Sequence, residues 1–172
     1  RMRRDAAETI SRGVCDTLSY LDMPKVRFLV DIQKVYAGGE EQFGTRGSDD
    51  VTFMIATNPG EPPMPLGKIA SGGEMSRVML ALRSVMNTKS GANTVVFDEI
   101  DAGVSGGTSE KIGIKLKEIS DTAQVLCITH LPQIAAMADA HFLIQKTMKQ
   151  DRTVTQITDL QEEESLLELA RL

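Results

Sequence analysis

Tryptophan is absent from these 172 residues, and only two tyrosines and five phenylalanines occur. The core must therefore be filled by nine methionines together with isoleucine, valine and leucine. Cysteine is scarce as well. Cys15 and Cys127 stand alone, neither in a C-x-x-C pair, which argues against a zinc site and asks for no oxidising compartment. Cys127 lies in the apolar run Val125-Leu126-Cys127-Ile128 and reads as a core thiol. No signal peptide and no apolar stretch long enough to span a bilayer is found, so the expectation is a cytoplasmic protein. Positive charge is outnumbered: 19 basic against 24 acidic residues give a net charge of −5, which disfavours nonspecific nucleic-acid binding. The run Arg1, Arg3, Arg4 is too short to reverse that balance. Internal repeats and low-complexity tracts are lacking. The chain starts with arginine rather than methionine, so a fragment of something longer is expected.

What is there fits one compact domain with a sizeable core. Ala6, Ala7, Ile10, Val14, Leu18 and Leu21 recur at helical steps, and Met23-Pro24 ends that helix. Val26, Phe28, Val30 and Ile32 alternate as a strand, and Val51, Phe53 and Ile55 suggest its partner, across a glycine-bearing polar turn region. A proline-rich connection, Asn58-Pro59-Gly60-Glu61-Pro62-Pro63, follows. From Gly73 the period becomes helical, with Met75, Val78, Met79, Leu82, Val85 and Met86 on one stripe. Thr94 to Phe97 and Gln124 to Thr129 read as strands buried on both faces, separated by a helix over 105–119. A short helix starts at Pro132, strands are expected over 141–146 and 153–158, and a last helix covers 162–172. The middle of the chain thus runs helix, strand, helix, strand, helix, which implies a mostly parallel sheet with flanking helices.

Four constellations carry chemistry. Ser71-Gly72-Gly73 precedes a helix. The glycines permit close backbone approach, and the helix offers unpaired N–H groups and a partial positive end, so the turn can hold a phosphate or serve merely as a cap. Asp98 and Glu99 end the Thr94-Val95-Val96-Phe97 strand, at the edge where open α/β sheets bind ligands. Asp98 can hold Mg²⁺, and Glu99 can orient and deprotonate an attacking water. Asp101-Ala102-Gly103 is a turn beside them, able to end there or to reach a second site. His130 leaves the next strand at the same edge and can donate to a γ-phosphate, whereas His141 opens an ordinary strand and reads as structural. The pattern G-x-x-x-x-G-K-[ST] has no match. Its nearest candidate, Gly60 through Gly67-Lys68-Ile69, has wrongly spaced glycines, several prolines and isoleucine in place of the hydroxyl.

In order and spacing, these pieces resemble the C-terminal half of an ABC-type ATPase head: Ser71-Gly72-Gly73-Glu74 is similar to the signature, Thr94 to Glu99 to Walker B, Asp101-Ala102-Gly103 to the D-loop, and His130 to the switch histidine. The stretches 57–62, 69–77, 97–106 and 129–135 resemble the RecN family of SMC-like double-strand-break repair ATPases, over residues 23–145 with weaker likeness at both ends. The fold implied is α/β, the C-terminal lobe of a P-loop head. Residues 1–22 would be the end of a coiled-coil helix and 23–172 the lobe itself. The resemblance further implies ATP and Mg²⁺, a Walker A lobe supplied by an earlier segment, and a homodimer of heads sandwiching ATP. It also implies DNA as partner, no membrane, and a cytoplasmic, nucleoid-associated location. Ser71, Gly72, Gly73 and Glu74 would serve the nucleotide in trans, Asp98 the metal, and Glu99 and His130 the hydrolysis, with Asp101 coupling the sites. A transporter-type ATPase half and a non-hydrolysing architectural lobe are the alternative readings. The proline-rich entry and leading helix speak against the transporter.

Overall fold

The computed structural model describes residues 2–45, 47–68, 72–86, 94–149 and 152–172. The first helix, α1 (Met2–Tyr20), places Val14 and Leu18 at zero exposure, following the spacing of its apolar positions. It ends before Pro24 is reached. Asp22 takes the left-handed conformation (φ 60°), its N–H bonds the Ser19 carbonyl, and the Met23 N–H bonds the Leu18 carbonyl. This is a Schellman stop with aspartate where glycine is usual. The Asp22 carboxylate accepts from Thr108 Oγ1 at 2.6 Å and Lys111 Nζ at 2.8 Å, tying the helix end to a later helix.

Strand β1 (Arg27–Lys34) pairs antiparallel with β4 (Asp49–Ala56), with Phe28 opposite Ile55, as the two alternating segments predict. Two-residue strands β2 (Tyr36–Ala37) and β3 (Glu40–Glu41) form a small ribbon between them. The proline-rich connection leads to β5 (Met64–Pro65), which adds an edge to β4. A 3₁₀ turn (Leu66–Lys68) follows, then α2 (Gly72–Val85), β6 (Thr94–Phe97), α3 (Gly107–Ser120), β7 (Gln124–Cys127) and α4 (Pro132–Ala135). The chain closes with an antiparallel hairpin, β8 (His141–Lys149) and β9 (Arg152–Leu160), and α5 (Glu162–Arg171). A reciprocal capping box between Gln161 and Glu164 starts α5.

Two expectations need correction. Among the described residues, only β6 and β7 pair in parallel; the other sheets are antiparallel, so the sheet is not mostly parallel. Helix–strand alternation, which forces a crossover, runs only through the middle of the chain. The flanking strands are joined by hairpins and short connections, which bring strands back antiparallel. Nor are β6 and β7 buried on both faces. Phe97 is enclosed, but Val96, Leu126 and Ile128 are exposed, because no described element covers their side of the pair.

Two buried clusters build the interior. One joins Val14 and Leu18 of α1 to Val26, Phe28, Ile55 and α2's Val78, Ala81 and Leu82. The other gathers Leu80 of α2 with Leu21, Phe97, Ile100, Ile112, Leu116, Ile119 and Ile134. Helix α2 belongs to both, so it is fixed from two sides.

Candidate functional site

The site lies where the N-terminus of α2 meets the C-terminal ends of β6 and β7. Ser71 lies outside the described residues. Gly72 and Gly73 open α2 and lie against the turn that leaves β6. A Cβ on Gly73 would stand 2.9 Å from Ala102 Cβ, 3.0 Å from the Ala102 carbonyl oxygen and 3.2 Å from that of Glu99. Only glycine lets the two backbones approach this far. The space beside Gly72 that a Cβ would need is held by the Glu99 carboxylate. A negative group at the first residues of a helix is well placed with respect to the helix dipole.

The turn itself is held by α2. Ser76 donates from its hydroxyl to the Asp98 carbonyl at 2.7 Å. Arg77, 9% exposed, donates from Nη1 to the carbonyls of Ala102 at 3.0 Å and Ile100 at 3.4 Å, and from Nε to the Met23 sulfur at 3.3 Å. Burial lowers the Arg77 pKa, and the charge of Glu74 opposes that shift. Such a guanidinium stays charged, and these backbone acceptors are what it offers its protons to. Ser76 is not singled out by the sequence; Arg77, which follows the signature and leaves open a nucleotide contact or a surface ion pair, is instead buried and bonded to backbone carbonyls of the turn.

Asp98 is exposed, and its carboxylate has no hydrogen-bond partner among the described residues. Glu99 sits at φ 56°, a left-handed conformation that is costly for a residue with a Cβ. Its carbonyl accepts the Ala102 N–H at 3.1 Å, and the Asp101 carbonyl accepts the Val104 N–H at 3.2 Å, closing the turn around Gly103 at φ 69°.

Asp101 is the buried hub of the neighbouring exit. Its Oδ2 accepts from Thr129 Oγ1 at 2.6 Å and from the His130 backbone N–H at 2.9 Å, and lies 3.0 Å from His130 Nδ1. Burial pushes the Asp101 carboxyl up, but the bonds from Thr129 and His130 and the His130 charge outweigh it, leaving the group below the ordinary aspartate value. Thr129 also accepts the Leu131 N–H on its hydroxyl at 3.1 Å. The His130 ring is 74% exposed at the sheet edge while its partner carboxylate is 5% exposed. Cys127, expected as a core thiol, is half-buried against the second cluster; burial, then the charges of Asp101 and Asp98, push its thiol up to about 12. His141 is structural, bonded between the Ala135 carbonyl and the Ser165 hydroxyl. Of the residues the sequence singles out, Gly72, Gly73, Asp98, Glu99, Asp101 and His130 thus fall at one edge, with Glu74 half-buried on the first turn of α2. Thr129 was missed. Its only signal is a hydroxyl at a strand exit directly before a histidine.

Among the described residues, no helix is long and apolar enough to cross a membrane. The chain is similar in fold to SMC heads: a head domain with coiled coil and joint from Pyrococcus yayanosii (TM-score 0.60, 20% identity, 95% of this chain and 29% of that one). It is also similar to an SMC ATPase chain described in terms of ATP-driven dimerization and DNA-stimulated activation (TM-score 0.54, 21% identity, 99% of this chain and 94% of that one). No family model matches the chain. In sequence it is 44% identical over 171 residues to the DNA repair protein RecN of Halalkalibacterium halodurans, covering 99% of this chain and 30% of that protein. Against RecN of Bacillus subtilis it is 47% identical over 135 residues, 78% of this chain and 23% of that protein. The chain therefore spans less than a third of the length of the relatives it matches. With identities of this size extending across nearly the whole of the chain, and an SMC-head fold beneath them, it belongs to the RecN family.

Proposed function

We propose that this chain is the C-terminal lobe of an SMC-like ATPase head that binds and hydrolyses ATP between two heads and thereby gates DNA binding in double-strand-break repair. The single observation that carries this reading is the convergence of the Gly72-Gly73 start of α2, the Asp98-Glu99 pair and His130 on one edge, each borne by a different element. The open apolar face of β6 and β7, with Val96, Leu126 and Ile128 exposed, supports a missing neighbour there, and a Walker A lobe earlier in the same protein fits it. Residues 1–22 would continue into the coiled coil, the first turn of α1, residues 2–5, being exposed. In this reading, Ser71, Gly72 and Gly73 face the γ-phosphate held by a second head, with Glu74 beside them. Glu99 takes the proton of the attacking water, and His130 donates to the γ-phosphate of its own head. Asp101 links the sites.

Mg²⁺ would neutralise phosphate charge when bound. Asp98 fits it: a hard oxygen donor, exposed at the strand end, without a competing hydrogen bond among the described residues. Among those residues no cluster of three metal-ligating side chains exists, so phosphate oxygens and water would complete the shell. The contact between Glu99 and Gly72 supports the coupling. It sets the turn that would face the other head's nucleotide beside the acid that would face its own. The location that follows is the cytoplasm, on the nucleoid.

The test is Glu99→Gln in a head reconstituted with its Walker A lobe. Turnover should fall by about 10²-fold or more while ATP is retained and the heads stay dimerised. Unchanged turnover would remove the base assignment. Hydrolysis stimulated by DNA, with no membrane subunit present, separates this reading from a transporter ATPase.

A further inference from the structure

We infer that Asp101 is a positioning residue for His130: together with Thr129, it locks the imidazole with its proton on Nδ1 and its Nε2 facing outward at the sheet edge. The inference rests on the reading that His130 meets a phosphate. The geometry is local and closed. A single carboxylate oxygen, Asp101 Oδ2, gathers the Thr129 hydroxyl at 2.6 Å, the His130 backbone N–H at 2.9 Å and His130 Nδ1 at 3.0 Å. An ionised carboxylate only accepts: the Thr129 hydroxyl and the His130 backbone N–H donate to it, and a negative oxygen 3.0 Å from Nδ1 favours the tautomer that carries its proton on that nitrogen. The backbone bond fixes where the residue starts, and the charge contact holds the ring beside the carboxylate. Thr129 in turn holds the Leu131 N–H, so the whole exit from β7 is braced on one buried oxygen.

The consequence is a choice of ring nitrogen. With Nδ1 held 3.0 Å from the Asp101 carboxylate, Nε2 alone remains for a ligand, and it donates to a phosphate oxygen when the ring carries both protons. The other ionisable groups at this edge are Asp98 and Glu99 on the preceding turn and the neutral Cys127 thiol. Asp101 is enclosed, so it acts on a ligand through His130 and not by contact.

The same chain carries its own control. His141 lies with Nε2 2.8 Å from the Ala135 carbonyl, which can only accept, so that ring is protonated on Nε2 and takes the Ser165 hydroxyl proton on Nδ1. The two histidines of this sequence are thus assigned opposite tautomers. Long-range proton–nitrogen correlation spectra of the chain read both rings at once above the pH at which they become neutral. We expect Nδ1–H for His130 and Nε2–H for His141. A His130 ring protonated on Nε2 in the unsubstituted chain overturns the inference whatever any variant does. The functional arm uses the head reconstituted with its Walker A lobe. Asp101→Asn, which keeps the shape, should lower kcat by about 10²-fold with KM within about two-fold. The double variant with His130→Ala should be no slower than His130→Ala alone. Independent, multiplying losses overturn the positioning role. If His130→Ala leaves turnover untouched, the phosphate reading fails while the tautomer assignment, read without ATP, stands.

Discussion

Two adjacent glycines do different work at the α2 terminus, and substitution separates them. At Gly73 a Cβ meets backbone atoms of the 99–102 turn, which cannot move without dislodging Asp101. Gly73→Ala should cost about 1–3 kcal/mol, read as a lowered denaturation midpoint. At Gly72 the obstacle is the end of a flexible side chain, the Glu99 carboxylate. Gly72→Ala should leave stability within about 0.5 kcal/mol and displace that carboxylate instead. The opposite order of effects would mean that Gly72, and not Gly73, meets the backbone of the 99–102 turn. The types and spacing of these residues were legible in the sequence, because glycine, paired acids and histidine are chemically conspicuous. Their partners were not. Ser76, Arg77 and Thr129 are ordinary residues whose roles come from carbonyls and a carboxylate more than twenty positions away.

At the scale of elements, the 98–102 turn is riveted to α2 by Arg77, which also reaches Met23 beyond the end of α1. Arg77→Met keeps much of the apolar bulk but strips the Ile100 and Ala102 carbonyls of their donor. The expected loss is about 2–3 kcal/mol, measured by denaturant unfolding, and Arg77→Lys should restore only part of it, because an ammonium cannot reproduce the fork. Full stability in Arg77→Met would show that the carbonyls find water. The long elements were readable because their periods persist: α1, α2, α3 and the β1–β4 partners all appear where the alternation places them. Strands of two residues, β2, β3 and β5, have no period to read. Apolar runs such as Thr94–Phe97 looked doubly buried, since composition records which side chains seek cover and not whether this chain provides it.

For the molecule as a whole, the exposed side of β6 and β7 is the clearest incompletely covered feature among the described residues. Val96 is 60% exposed and Leu126 46% exposed on that side. Val96→Glu with Leu126→Lys, opposite charges on a cross-strand pair, should leave the isolated chain's melting temperature nearly unchanged, yet abolish the proposed association with a Walker A lobe in a pull-down or light-scattering assay. Association that persists would place the lobe elsewhere. The interior is not incomplete in the same way. Helix α2 lends Val78, Ala81 and Leu82 to one buried cluster and Leu80 to the other. Shifting it along or about its axis would breach both at once, so no cheap local opening can release it. A ligand arriving at its glycine end therefore lands on an anvil: the backbone amides there need little rearrangement on contact, and force delivered to them passes into both halves of the interior together.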